Sequence, residues 1–299
     1  MTGTLLTWRP QALQTPGAAA NETRMDTVEL LVGDLDAQTA FYRDAIGLDV
    51  INQSGASATL GRSGTPVVTL THTPDLPPFD RSGAGLYHTA IAFPDRVSLS
   101  AAVMKMAQHP SHIYQGATDH TFSNAFYFQD PEGNGIELYW DRPAEQWQNM
   151  PAGWMPRNTA IDPNAFLRTH FDTERPEPED ATVGHVHLQV GDIPTARRFY
   201  VDTLGLDITF DLGSALFVSA GGYHHHIGLN TWHSAGAGPR AASLGLGDVR
   251  LRMPVRDDVL SLADRARHAG VGVEDDGHAV RLRDPWGTVL TVAPEAPGA

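Results

Sequence analysis

The chain repeats itself, and that repeat limits its possible folds more than any other feature. Val32-Gly33-Asp34, followed by Phe41-Tyr42 and Gly47-Leu48-Asp49-Val50, recurs at a constant offset. The second copy is Val190-Gly191-Asp192, Phe199-Tyr200 and Gly205-Leu206-Asp207-Ile208. A further pair follows: Asp130-Pro131-Glu132-Gly133 ahead of Ile136-Glu137-Leu138, and Asp284-Pro285-Trp286-Gly287 ahead of Leu290-Thr291-Val292. One unit has been duplicated, so one local structure is expected twice.

The best-marked copy begins with polar–apolar alternation from His185 to Val190, the signature of a strand. Asp192 sits where a helix N-cap belongs, and Pro194 falls early enough that its missing N–H costs little. Phe199, Tyr200 and Leu204 recur at helical spacing as a core face, and Gly205 supplies a C-terminal stop. Short β-rich runs such as Ala215-Leu216-Phe217-Val218 come next. The reading is strand, helix, then three strands, a βαβββ module. Four such modules are placed at about 25–75, 84–142, 182–235 and 243–294. Residues 25–142 then form a first domain and 182–294 a second. The segment 143–181, punctuated by Pro143, Pro151, Pro156, Pro163, Pro176 and Pro178, connects them.

Two domains suit 299 residues. A net charge of −14 argues against nucleic acid and against an anionic membrane surface as partners. No cysteine is present, which removes disulfides, thiolate metal sites and a thiol nucleophile. Any metal chemistry rests on the fourteen histidines and the carboxylates. Leu5-Leu6-Thr7-Trp8 is broken at once by Arg9-Pro10, and nothing hydrophobic precedes Ala18-Ala19-Ala20. Neither a leader nor a membrane span is therefore expected, and the cytoplasm is the expected location.

With its repeated modules, the chain resembles the vicinal oxygen chelate superfamily, which holds glyoxalases, antibiotic-resistance proteins and extradiol dioxygenases. More narrowly it resembles two-domain catechol 2,3-dioxygenases, from Asp26 to Pro294. The resemblance implies an α+β fold: four βαβββ modules in two tandem vicinal-oxygen-chelate domains, paired into cupped mixed sheets. It also implies metal ligands on the first and last strands of a module. The first-strand ligand lies seven residues before the Asp that follows the strand. That register selects His88 before Asp95 and His185 before Asp192, and passes over His187, read as packing or support. Thr27 and Asp248 are the counterparts in modules one and four. The last-strand positions are Glu137 and Thr291.

Module pairing decides whether these residues meet. Adjacent pairing, one with two and three with four, gives neither cup three good ligands. Nested pairing, two with three and one with four, gathers His88, Glu137 and His185 and leaves Thr27, Asp248 and Thr291 in the other cup. Nested pairing is the expectation, whether within one chain or between the subunits of a homo-oligomer. Two imidazoles and one carboxylate on one face of a metal are the ligand set of non-haem Fe(II) oxygenases. Mn(II) suits the same donors.

The resemblance assigns three further roles. In Gly222-Tyr223-His224-His225-His226-Ile227-Gly228-Leu229 it places the acid–base histidine on His225. His120 and Tyr127, the latter ten residues before Glu137, fall where relatives orient the catechol oxygens. His224 and His226 receive no role, and Glu132 is read as a turn residue. His72, His109, His112, His170, His233, His268 and His278 are read as surface or structural. The implied activity is extradiol opening of a small aromatic diol with O2. Two other readings stay open: a glyoxalase-like isomerase or thiol transferase using the metal as Lewis acid, and a non-catalytic drug-sequestering protein.

Overall fold

Helix starts and stops in this chain are written in the side chains that terminate them. Asp34, Asp95 and Asp192 each take extended backbone and accept a hydrogen bond from the amide three residues on, at 2.9, 2.7 and 2.8 Å. These are N-caps that satisfy one of the free amides at each helix start. Gly47 and Gly205 follow their helices with positive φ, as the repeat predicts. The computed structural model describes residues 19–146 and 157–296. The expected N-terminal features through Ala18, and residues 147–156 of the expected connection, lie outside the described residues.

Four strand–helix–strand units follow in order. The first contains β1 (Arg24–Val32), α1 (Leu35–Phe41), β2 (Asp49–Ser54), β3 (Ser57–Arg62) and β4 (Thr65–His72). The second contains β5 (Gly85–Ala92), α2 (Arg96–Gln108), β6 (Ile113–Asp119), β7 (Ser123–Gln129) and β8 (Gly135–Asp141). A short strand β9 (Thr159–Ala160) and helix α3 (Pro163–His170) lie in the connection. The third unit has β10 (Thr182–Gln189), α4 (Ile193–Arg197), β11 (Asp207–Asp211), β12 (Ala215–Ser219) and β13 (Ile227–Asn230). The fourth has β14 (Gly245–Met253), α5 (Arg256–His268), β15 (Val273–Asp275), β16 (Val280–Arg283) and β17 (Val289–Pro294). One detail differs from the sequence reading. Helices α1 and α4 pass into wider π-helical turns over Tyr42–Ile46 and Arg198–Thr203, so the second half of each departs from the expected period.

The modules pair in the nested way. One sheet runs β11-β12-β13-β10-β5-β8-β7-β6-β9, joining modules three and two; the other runs β15-β16-β17-β14-β1-β4-β3-β2, joining four and one. The seams are antiparallel, β10 against β5 and β14 against β1. On β10 the alternation sends Val186 and Leu188 into one apolar core that also contains Leu30, Leu70 and Leu99. Each such side chain contributes about 1.5–3 kcal/mol of burial. The opposite face, with His185 and His187, is left to line the cup. Among the described residues, no helix is long and apolar enough to cross a membrane.

The Asp-Pro turns hold the modules of each half together. Asp130 Oδ1 accepts from the amides of Glu132 and Asn134, at 2.9 and 2.8 Å, and Oδ2 accepts from the Tyr42 hydroxyl of module one. Asp284 repeats this with Trp286 and Thr288, at 2.9 and 2.8 Å, and with Tyr200 of module three. Glu132 takes the amides of Gly33 and Asp34, both at 2.9 Å, so its role is structural. The two tyrosines do more than fill the core: their hydroxyls anchor the turn that feeds the last strand. Tyr42→Phe and Tyr200→Phe should each cost about 1–3 kcal/mol, because a buried carboxylate loses a donor. A lowered urea midpoint with unchanged slope is the expected readout.

Candidate metal centre

Three strands side by side build the site. His185 on β10 lies opposite Ala90 on β5, and Ala90 lies beside Glu137 on β8. Ala90 carries only a methyl group, so the side chains on either side of it can meet above it. His88, two residues back on β5, joins them from the same face. His88 Nε2 is 2.9 Å and His185 Nε2 3.1 Å from the same oxygen, Glu137 Oε2. One ligand atom from each of the three falls within 4.8 Å of the others, and all three side chains are buried. Among the described residues this is the group of three able to hold a metal ion.

The donor set fits a divalent ion on its own geometry. The buried His88 Nε2 has no aligned hydrogen bond in spite of its 2.9 Å approach to the carboxylate. Ligands at right angles on an octahedral ion, at bond lengths of about 2.1 Å, are about 3.0 Å apart, close to the two nitrogen–oxygen spacings of 2.9 and 3.1 Å. Burial raises the Glu137 carboxyl, but His185 and His88 outweigh it and hold the group well below the ordinary range. Burial lowers the His185 imidazole against the pull of Glu137. A carboxylate and a neutral imidazole are the forms a metal takes up.

Around this centre lies a cavity of about 930 Å³ whose lining includes His120, Tyr127, His187, His225, Phe217 and Trp232. The His225 ring sits 4.1 Å from that of His185, and burial, followed by the nearby His185 and His224, lowers its pKa well below the usual value. His120 Nδ1 donates to Asn158 Oδ1 at 2.7 Å, so in the neutral ring its Nε2 accepts from the Tyr127 hydroxyl, also at 2.7 Å. Burial and the Glu137 carboxylate push the Tyr127 hydroxyl well above its ordinary range. His187 faces the same cavity, opposite His88 in the strand register, with ring centroids 5.1 Å apart. Gly228 lies under its ring: a Cβ there would come within 3.0 Å of it.

All six expected site residues, His88, Glu137, His185, His225, His120 and Tyr127, line this one cavity. His233 is exposed, as expected, and stands at the edge of the cavity, stacked on Tyr87 at 6.4 Å. Two others escaped the sequence reading. Asn158, which orients His120, comes from the connection and carried no signal. Asp141, which accepts from His224 at 2.9 Å, stands four residues after Glu137. Strand period alone puts it on the ligand face, so this residue could have been found. In the other cup Asp248 accepts from Thr291 at 2.8 Å and Arg250 at 3.1 Å.

His226 turns away to the Ala220 amide and the Ser219 hydroxyl, at 3.3 and 3.0 Å from its Nδ1. Burial, then His224 and His185, push it down to about 3 from 6.5. A base whose folded pKa is depressed adds stability above its unfolded pKa and loses it as pH falls toward the folded value. For His226 the window runs from 6.5 down to about 3. Within it the loss is about 1.4 kcal/mol per pH unit. His185, His187 and His225 shift the same way and steepen the slope. Denaturation of the metal-free protein should therefore show stability falling from about pH 6.5 downward, with a slope about one proton shallower in His226→Gln.

Comparison with known proteins gives this geometry its relatives. The family described as the glyoxalase/bleomycin resistance protein/dioxygenase superfamily matches residues 24–138 and again 182–292. Catechol-2,3-dioxygenase of Bacillus subtilis (strain 168) is 38% identical over 273 residues, which cover 88% of this chain and 94% of that protein. Among solved structures, a proposed dioxygenase of B. subtilis superposes with a TM-score of 0.63 at 17% identity, over 92% of this chain and 86% of that one. Glyoxalase I of Zea mays gives 0.57 at 17% identity, over 91% and 92%. At that identity the two structures establish a shared fold. With both halves matched, the chain belongs to the glyoxalase/bleomycin resistance protein/dioxygenase superfamily.

Proposed function

We propose that this protein is an extradiol ring-cleaving dioxygenase that opens a catechol-type diol with O2. His88, Glu137 and His185 would hold its metal, with Fe(II) as the native ion and Mn(II) as a substitute. The observation that carries this reading is the convergence of those three side chains beside His225, His120 and Tyr127 in one cavity. The 38% identity to a catechol-2,3-dioxygenase over most of both chains supports it. The proposal takes 25–142 and 182–294 as the two domains, with 143–181 between them and the cytoplasm as location. The two separate family matches support that division.

An iron(II) ion on this ligand face would supply the electron transfer that lets an aromatic ring react with dioxygen. The remaining work falls to the chain. Phe79, Leu86, Phe122 and Phe217 give the cavity apolar walls that accept an aromatic ring and exclude water. His225, neutral because it is buried among other histidines, is the base that takes a proton from a diol hydroxyl and later returns one. The His120–Tyr127 pair keeps its hydrogens in a fixed order, because Asn158 takes the His120 Nδ1 hydrogen. Such a preset pair orients the substrate oxygen without reorganising during the reaction. A glyoxalase-like reaction leaves this pair without a use.

The first test is catechol added in air to protein reconstituted with Fe(II). Appearance of a yellow ring-opened product is expected, and its absence with a range of catechols alongside tight binding of another metal would sink the proposal. His185→Ala, although it alters the half that lacks the other two ligands, should bind no iron by elemental analysis. Full iron occupancy and turnover in that variant would remove the ligand assignment. His225→Phe should keep its iron and bind catechol while kcat falls about 10²- to 10⁴-fold. Undiminished turnover would strip His225 of its acid–base role.

A further inference from the structure

Strand β8 carries more than the Glu137 ligand on its cavity face. Its period of two brings Glu137, Tyr139 and Asp141 to the same side. Asp141 Oδ2 accepts from the Tyr223 hydroxyl at 2.6 Å. Since the Tyr223 hydrogen is committed there, the Tyr139 hydroxyl, 2.8 Å away, donates to Tyr223. Asp141 Oδ1 accepts from His224 Nε2 at 2.9 Å. The carboxylate is thus aimed by two side chains at once.

His224 is fully buried and held flat, with Phe122 stacked at 4.6 Å on one contact and Tyr223 at 4.0 Å on another. Its ring cannot turn without breaking those contacts. Its Nδ1 stands 2.9 Å from His225 Nδ1, and a hydrogen bond between two ring nitrogens needs one donor and one acceptor. Because the Asp141 carboxylate can only accept, the His224 hydrogen is on Nε2. In neutral His224 the Nδ1 then accepts, and the donor is His225 Nδ1–H. A neutral His225 with its hydrogen on Nδ1 has the lone pair on Nε2.

We propose that Asp141 and His224 are positioning residues that set His225 in the Nδ1–H form, leaving Nε2 as the proton acceptor in the cavity. The assignment of work to His225 rests on the ring-cleavage reading above; the hydrogen order along Asp141–His224–His225 does not. In the proton transfer, the substrate O–H bond breaks, its electron pair stays on oxygen, and a new N–H bond forms at Nε2. The positive charge then on His225 is offset through His224 by the Asp141 carboxylate. A carboxylate that fixes a histidine tautomer in this way follows the logic of hydrolase triads, here with a second imidazole between the two groups.

The hydrogen order can be read without turnover. Long-range proton–nitrogen correlation spectra of the full chain, metal-free and ¹⁵N-labelled at histidine, report which ring nitrogen carries hydrogen. His224→Phe, which keeps the ring stacking, and His225→Phe assign the signals. The expected result is hydrogen on His225 Nδ1 and on His224 Nε2 in the unaltered protein, with His225 losing its single form in His224→Phe. Hydrogen on His225 Nε2 in the unaltered protein would overturn the proposal.

On the iron-loaded enzyme with catechol, Asp141→Leu and His224→Phe should each lower kcat about 10- to 10³-fold with KM nearly unchanged. The double variant should fall no further, since both changes cut one chain. Asp141→Asn, which keeps an acceptor oxygen but loses the charge, should recover only part of the rate. Additive losses, or losses confined to KM, would refute the positioning role. If the unaltered enzyme opens no catechol, the ring-cleavage reading fails while the spectra still decide the hydrogen order.

Discussion

The antiparallel seam between β5 and β10 is the contact on which the rest depends. It joins strands from opposite halves of the chain, with His187 facing His88 and His185 facing Ala90. Were the modules paired within each half, His185 would lie in a different cup from Glu137. The register matters as much as the pairing, because a slip of one residue would turn both histidines of β10 into the core and Val186 and Leu188 toward the cavity. Burial of Val186 and Leu188 therefore fixes where His185 and His187 point as well as stabilising the sheet. The Asp130–Tyr42 and Asp284–Tyr200 bonds tie each half internally, while the two seams tie the halves to each other. Every module is thus held to two others, one through a shared sheet and one through a buried carboxylate.

The duplicated architecture supplied two cups, and side-chain chemistry separates them. In the cup of modules one and four, Asp248 stands opposite Glu29 in the strand register and is occupied by Thr291 and Arg250. Glu29 in turn accepts from Thr71 at 2.7 Å. One oxygen of Asp248 is thereby engaged, while its Oδ1 is buried without a partner. In the other cup, two imidazoles converge on one carboxylate oxygen. The cups therefore differ in donor type, a carboxylate tied to an arginine and a threonine in one and a carboxylate between two imidazoles in the other, and only the second donor set suits a metal ion.

Much of this was written locally. The repeat fixed the module order, alternation fixed the strand faces, and Asp34, Asp95 and Asp192 marked the helix starts, because each of these signals depends only on near neighbours. Nested pairing is the arrangement in which His88, Glu137 and His185 can meet, and the strand order has it. What stayed hidden depends on contacts far apart in sequence. Asn158 reaches His120 from the connection, and the carboxylate that takes the His224 hydrogen, Asp141, sits on β8, more than eighty residues away. The π-helical turns were missed for a different reason. Their buried aromatics, Tyr42 and Tyr200, are placed by hydroxyl bonds to Asp130 and Asp284, and tertiary anchoring of that kind overrides the local period.

The charge inside the cavity narrows what can bind there. Among its lining residues the formal charges are Glu137 and Arg81, and Arg81 is engaged with the Gly133 carbonyl. His185, His187 and His225 are kept neutral because burial, together with their mutual repulsion, penalises another cation. On the proposed reading a divalent ion would bring two positive charges against the single negative charge of Glu137, leaving an excess of one at the buried centre, since the exposed Arg81 is screened by solvent. An uncharged ligand would leave that excess uncompensated in a largely apolar enclosure, at a cost that grows as water is excluded. A diol whose proton leaves the cavity for solvent removes it. On that reading a neutral His225 carries the proton only in passing: the burial and neighbouring histidines that keep it unprotonated let it accept a proton and then drive that proton on to water.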